Sequence, residues 1–407
     1  MLEQTLYNLE FWRFVSIPVG AAVLGWVTNW VAIQLTFWPL EFVGIKPWLG
    51  WQGIIPSKAG KMARISVEKT LSRIGNIGDL IDRLGPDQVI DHLVEYVDPR
   101  LEGFVDEVIC EHYQEQWDAL PDPIKQHIYS TVRQRLPYVL EELIFEGLDK
   151  LDEIFDLEEM AVESLESNPS ILNRMFLEAG RKELRFIVQS GLLFGGLFGV
   201  VQLLVWYFAP LIWLWPLFGL MVGFATNWLA LNIIFRPLHP IKVGPWQIQG
   251  MFLRRQKEVA KRYSHILAHE LLNTHRIMGS ILTGSKAEGV RHIVDERVRQ
   301  YQLQDDSVPP EMVEQFLGPD AFDKLAGSMS ATILRHAHEP FSDPQFMEYR
   351  ANQVEALLTD RFCQLSPEEF QDVLRPAFQE DEWILIAVGA ALGFMAGLSQ
   401  VFLVFGS

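Results

Sequence analysis

The chain has 407 residues, enough for two domains or one duplicated unit. Its hydrophobic fraction of 49%, with 13 Trp and 26 Phe, is gathered into blocks, which excludes an ordinary soluble domain. A net charge of −18 argues against nucleic acid as a partner, because that task needs a basic surface.

The N-terminus lacks a basic start and a small-residue cleavage site, so no removable signal peptide is expected. Four apolar runs, roughly 14–37, 186–208, 211–235 and 383–405, contain no Asp, Glu, Lys or Arg. Each reaches the ~20 residues that a helix needs to cross a bilayer. The second and third are separated by little more than Ala209-Pro210 and should form a tight hairpin. The predicted architecture is all-α and integral to the membrane, with four spans and two cytoplasmic helical arms. In chain order it reads 1–37, tail and first span; 38–185, interfacial segment and acidic arm; 186–235, hairpin of spans two and three; 236–382, second interfacial segment and arm; 383–407, fourth span.

Lys and Arg near the membrane ends set orientation. They gather after the first span (Lys46, Lys58, Lys61, Arg64), before the second (Arg181, Lys182, Arg185) and after the third (Arg236, Lys242, Arg254, Arg255, Lys257). Both termini and the hairpin are therefore expected outside, and both large segments inside, a bacterial inner membrane. Glu380, Asp381 and Glu382, before the fourth span, do not support this, but acids count for little in the rule.

The first large segment, 57–182, carries 24 Asp+Glu against 6 Lys+Arg between Asp79 and Asn173. Apolar residues recur there at helical steps (Val132, Leu136, Val139, Leu140, Leu143). Prolines, Pro137 among them, are expected to cut it into several helices, including short ones over 79–84 and 87–93. The acidic face is either solvated surface or a docking face for a basic protein partner or cations. The second, 239–382, is expected to hold helices over 256–273, 285–301, 310–316, 320–336, 344–361 and 366–378. Ser366-Pro367-Glu368-Glu369 has the pattern of a capping box at the last of these.

The stretch from Thr28-Asn29-Trp30 to Phe37-Trp38-Pro39-Leu40 returns as Thr226-Asn227-Trp228 to Phe235-Arg236-Pro237-Leu238, at an offset of 227 − 29 = 198. Gly191, Gly195, Gly199 and Gln202 recur at the same offset as Gly389, Gly393, Gly397 and Gln400. The chain therefore reads as two parallel repeats, each a helix in, an arm, and a helix out. Those glycines, with Ala21, Gly25, Gly219 and Gly223, have the small-xxx-small spacing that lets membrane helices approach closely. The other reading of them is a glycine-lined permeation path.

Asn29 and Asn227 must find hydrogen-bond partners within lipid. They either clamp the two repeats together or, with Thr28, Gln34, Thr226, Asn232, Gln202 and Gln400, form a polar site for a small ligand or ion. No carboxylate falls in any predicted span, which disfavours ion-coupled transport. Trp38, Trp48, Trp51 and Trp246, with Lys58, Lys61, Arg64, Arg254, Arg255 and Lys257, fit an interfacial belt or a site for anionic lipid headgroups. His265 and His269 have the i, i+4 spacing of metal ligands, but the chain continues Glu270-Leu271-Leu272-Asn273 and lacks a zincin pattern. No nucleotide-binding or hydrolase motif occurs, and no cofactor is expected.

Thr28-Asn29-Trp30-Val31-Ala32-Ile33, Phe37-Trp38-Pro39-Leu40 and Gly53-Ile54-Ile55-Pro56-Ser57-Lys58 resemble the hallmark of the YheB/YjiN-like family of bacterial membrane proteins. Leu374-Arg375-Pro376-Ala377-Phe378 and Gln379-Glu380-Asp381-Glu382-Trp383 are similar to that family's C-terminal end. The resemblance implies a helical membrane protein with large cytoplasmic portions and supplies no catalytic residues. The leading expectation is a non-enzymatic membrane-surface scaffold or tether. A solute or lipid conduit is the alternative, and a metalloenzyme on His265 and His269 a third reading.

Overall fold

The computed structural model describes residues 2–45, 49–74, 85–208, 211–303, 317–374 and 382–405. The chain divides into two units that interleave along the sequence. One comprises Met1–Ile74, Val162–Leu267 and Leu358–Ser407, the other Gly75–Ala161 and Ala268–Leu357.

The first unit holds four helices long and apolar enough to span a membrane: Ile17–Phe37 within Leu2–Phe37, Arg181–Phe208, Leu214–Phe235, and Glu382–Val401 within Glu382–Phe405. The second span starts at Arg181, five residues before the apolar run, and so takes in Glu183. The first span packs on the second and the third on the fourth. The cause is local, because glycines face each other across both pairs. A Cβ on Gly25 would run into the Gly191 carbonyl, and one on Gly223 into the Gly389 carbonyl. Gly195 lies on Ala21, Gly199 on Pro18, Gly219 on Gly393 and Gly397 on Trp215. Backbones that close gain dispersion contacts that lipid cannot match.

A two-stranded antiparallel hairpin follows each odd-numbered span, an element the helical reading of the sequence did not contain. Val43–Ile45 pairs with Leu49–Trp51, and Ile241–Val243 with Trp246–Ile248. Beyond the hairpins lie short buried helices, Ile54–Ser57 and Met251–Arg254, and then Ala59–Ile74 and Gln256–Ile266. Helix Pro169–Ala179 packs on Ile54–Ser57 of its own half and on Gln256–Ile266 of the other. Helix Pro367–Leu374 packs on Met251–Arg254 and on Ala59–Ile74 in the same reciprocal way. The capping box at Ser366 forms. The Ser366 amide donates to Glu369 Oε2 (3.0 Å), and the Glu369 amide donates to Ser366 Oγ (3.3 Å).

The second unit is helical throughout its described residues, and both large polar segments build it. Leu143, from the first segment, packs against Val294, Val298 and Ala326, from the second. Arg297 reaches back to Glu142 (3.0 Å) and to Glu146. In a further cluster Leu101, Trp117 and Tyr129 are buried together, and the Trp117 indole (2.9 Å) and Tyr129 hydroxyl (2.5 Å) both donate to Asp106. Pro137 does not break its helix, because Asp122–Asp149 runs through it. Helices Pro86–Val97, Ala287–Leu303, Ala321–His336 and Pro344–Gln364 match the predicted ones to within a few residues. The predicted helices over 79–84 and 310–316, and the Ala209-Pro210 link, lie outside the described residues.

Candidate functional site

The repeated motif sits where each odd-numbered span ends. Asn29 is fully buried, and its Nδ2 donates to the Ile187 carbonyl at 2.8 Å. Asn227 is equally buried and donates to the Leu385 carbonyl at 2.9 Å. Each asparagine thus ties the first helix of its own half to the second helix of that half. The expected clamp between the two halves is corrected, because the facing glycines bring an intra-half carbonyl within reach first. Thr28 and Thr226 spend their hydroxyls on the carbonyls of Gly25 (3.1 Å) and Gly223 (3.3 Å). Asn232 donates to the Trp228 carbonyl (2.8 Å). Gln202 is buried, whereas Gln34 and Gln400 are half-buried. The polar residues predicted to form one joint are therefore spread along the spans.

Past the spans, Trp38-Pro39 and Arg236-Pro237 are both cis peptides. The chain then returns to the span end. The Gly53 amide donates to the Pro39 carbonyl (2.9 Å) and the Gly250 amide to that of Pro237 (3.0 Å). Gln52 and Gln249 add side-chain bonds to the carbonyls of Leu40 (2.8 Å) and Leu238 (3.1 Å). Each hairpin is thereby pinned beside its span with apolar side chains turned outward. Ile45 and Leu49 are 77% and 76% exposed, and Ile241 and Ile248 are also exposed. Apolar patches of this kind mark membrane or protein contacts.

The predicted headgroup cations divide. Arg64, Arg254, Lys61 and Lys257 are exposed, and Lys58 is half-buried. Arg255 is not a lipid-facing group. Its Nη1 lies 2.6 Å from Oε1 of Glu183, whose side chain is only 4% exposed, and its Nη2 lies 2.9 Å from Glu258. Lys182 (2.9 Å) and Arg262 (3.7 Å) also pair with Glu258. A carboxylate withdrawn from water needs a cation, so Glu183 draws Arg255 inward while its neighbour Arg254 stays out. Hydrogen bonds from Arg255 and Lys182 hold the Glu258 carboxyl down to about 2. Trp38 and Trp51 are exposed, and the Trp51 indole donates to the Leu35 carbonyl (3.1 Å). Trp246 lies in the second hairpin, and Trp48 lies outside the described residues.

Two clefts open beside the end of the third span. One, of about 820 Å³, runs between Ile233, Arg236 and the second hairpin (Ile241, Ile248), with Gln371 on its wall. A smaller one, of about 270 Å³, is bounded by Trp228, Arg236, Glu382 and Ile386. Asn232 and Arg236 border both. His265 is exposed in the last turn of Gln256–Ile266. His269 falls in the π-helical stretch Leu267–Leu271, where its Nε2 lies 3.2 Å from Glu355.

The residues that sequence reasoning missed are Asn173 and Glu183. Asn173 is buried and donates to the Phe37 carbonyl at 2.6 Å. Its helix begins at Pro169, and Pro367 stands 198 residues later, so the recurrence was there to be seen. Glu183 carried no signal, because it lies outside the apolar run.

No family model and no solved structure matches the chain. Among curated proteins it is similar to the UPF0754 membrane protein of Shouchella clausii, 40% identical over 68 residues, 15% of this chain and 18% of that one. The UPF0754 membrane protein of Staphylococcus carnosus is 22% identical over 158 residues, 36% of this chain and 42% of the relative. That of Synechococcus elongatus is 30% identical over 100 residues, 20% and 24% of the respective chains. Each alignment spans less than half of the relative's length. The chain is thus similar to bacterial proteins whose shared name states a membrane location and no enzymatic activity.

Proposed function

We propose that the protein is a non-enzymatic membrane scaffold, anchored by its four spans and using the helical unit built from its two polar segments to hold a partner at the membrane surface. One observation supports this over solute transport. The side chains best suited to line a path, Asn29, Asn227, Thr28 and Thr226, spend their donors on backbone carbonyls of the bundle itself. The 198-residue recurrences and the YheB/YjiN-like motifs support an internally duplicated bacterial inner-membrane protein with both polar segments cytoplasmic and both termini outside. The excess of 24 acidic over 6 basic residues between Asp79 and Asn173 favours a basic protein partner.

The test is in-cell photo-crosslinking from exposed acidic positions such as Glu111 and Glu115, combined with flux measurements on reconstituted protein. A scaffold yields a discrete basic partner, lost when those acids become Gln, and vesicles as tight as protein-free ones. Specific solute flux that disappears in Asn29→Ala would overturn it. The apolar cleft favours a second reading, lipid conduction, which a lipid-scrambling assay on the same vesicles separates.

A further inference from the structure

The two halves differ in sequence where each hairpin lies beside the end of its span. In the first half the indole of Trp51 bonds to the Leu35 carbonyl at the end of the first span. The hairpin registers are equivalent, Val43↔Trp51 against Ile241↔Ile248, so the corresponding residue of the second half is Ile248. The corresponding span position is Ile233. The smaller aliphatic side chain of Ile248 borders the cleft of about 820 Å³, whose wall also includes Ile233. That volume is in the range of pockets that enclose a small amphiphile.

The rim changes charge as well. Where the first half has Trp38 and Glu41, the second has Arg236 and His239. His239 is engaged by Glu368 (2.7 Å), while Arg236 is exposed and makes no ion pair among the described residues. Glu382 borders only the smaller cleft. Arg236 follows directly on Phe235, the last residue of the third span, and so stands at headgroup depth, where anionic lipid meets basic side chains. Guanidinium matches phosphate with paired N–H donors.

We propose that this cleft holds one anionic phospholipid, with an acyl chain between Ile233 and the second hairpin and the phosphate on Arg236. The site lies in the second half, beside the end of the third span. It accounts for an arginine where the matching position is tryptophan.

Native mass spectrometry of the full-length protein in detergent, with phosphatidylglycerol or phosphatidylcholine of identical chains, tests this. One phosphatidylglycerol should be retained in preference to phosphatidylcholine. Ile248→Trp, the residue the first half already accommodates, should abolish retention while helicity and melting temperature stay unchanged. Arg236→Gln should lower the preference for phosphatidylglycerol by about tenfold, the scale of one charge-assisted hydrogen bond, and Arg236→Lys should restore part of it. Arg236 is exposed, so its variants remain informative if Ile248→Trp fails to fold. Unchanged retention and preference in both variants would overturn the site. Displacement of the lipid by glycerol phosphate would overturn its assignment to a lipid rather than a soluble phosphate.

Discussion

Asn227 donates its side-chain amide to the main-chain carbonyl of Leu385 at 2.9 Å, inside a helix pair whose backbones meet at Gly223 and Gly389. The bond ties the third span to the fourth, and Asn29 with Ile187 repeats it in the other pair. Because Asn227 Oδ1 is buried without a partner among the described residues, part of the gain is offset. Asn227→Ala should therefore cost about 1 kcal/mol, in the usual range for interhelical bonds in membranes. Reversible unfolding in bicelles measures it, and a loss above about 3 kcal/mol would contradict the account.

Glycine positions separate packing from propensity. Gly223→Ala drives a methyl into the Gly389 carbonyl and should destabilise the pair by about 1–3 kcal/mol through overpacking. Gly279 lies in helix Thr274–Thr283 with open space around it, so Gly279→Ala should stabilise by up to about 1 kcal/mol through helix propensity. Thermal melts of the two variants should shift in opposite directions.

Arg255 and Glu183 form a buried ion pair with one exposed arm on Glu258. Removing only the cation strands the carboxylate, so Arg255→Ala should cost about 3 kcal/mol or more. Glu183→Gln in the same chain should recover much of that loss, because an amide tolerates burial better than a charge. A double-mutant cycle on chemical denaturation reads the coupling; simple additivity would mean that the pair does not exist in the membrane.

His336 binds Glu339 through Nδ1 (2.8 Å) and Glu107 through Nε2 (3.1 Å), joining residues from both polar segments within the second unit. Its hydrogen bond to the Glu339 carboxylate first, and that to Glu107 after it, raise its pKa above the ordinary 6.5 against the opposing effect of burial. A raised folded value means that the contribution to stability is fully present below pH 6.5 and is lost as pH climbs through the folded value. Hydrogen exchange of helix Ala321–His336 should therefore accelerate from pH 6 to pH 8 beyond the intrinsic rate change. In His336→Gln that excess should vanish.

Much of the membrane plan was legible in the chain. Four runs of about 20 apolar residues are long enough to span a bilayer, and each falls in a helix of that length. The Thr-Asn-Trp recurrence located the span ends, and Ser366 with Glu369 announced a capping box that forms as read. These are local properties, decided by neighbours a few residues away. The hairpins escaped because strands of three residues are too short for alternation to stand out from the surrounding chain. Pro137 misled because a helix interior can absorb one lost hydrogen bond when its flanks are long.

Thus hydropathy summed along the chain determined that this protein is helical and has four helices long and apolar enough to cross a membrane among its described residues, and spaced identities showed motifs that recur at 198 residues. Only the tertiary structure decided that Arg255 turns to a buried Glu183 while Arg254 faces out. It also decided that both polar segments contribute to one helical body, and that Ile248 lines a cleft beside the third span. The reason is that the Arg255–Glu183 pair brings together residues 72 positions apart, and the cleft wall brings Gln371 to the hairpin of Ile241 and Ile248. A one-dimensional pattern does not contain that distance.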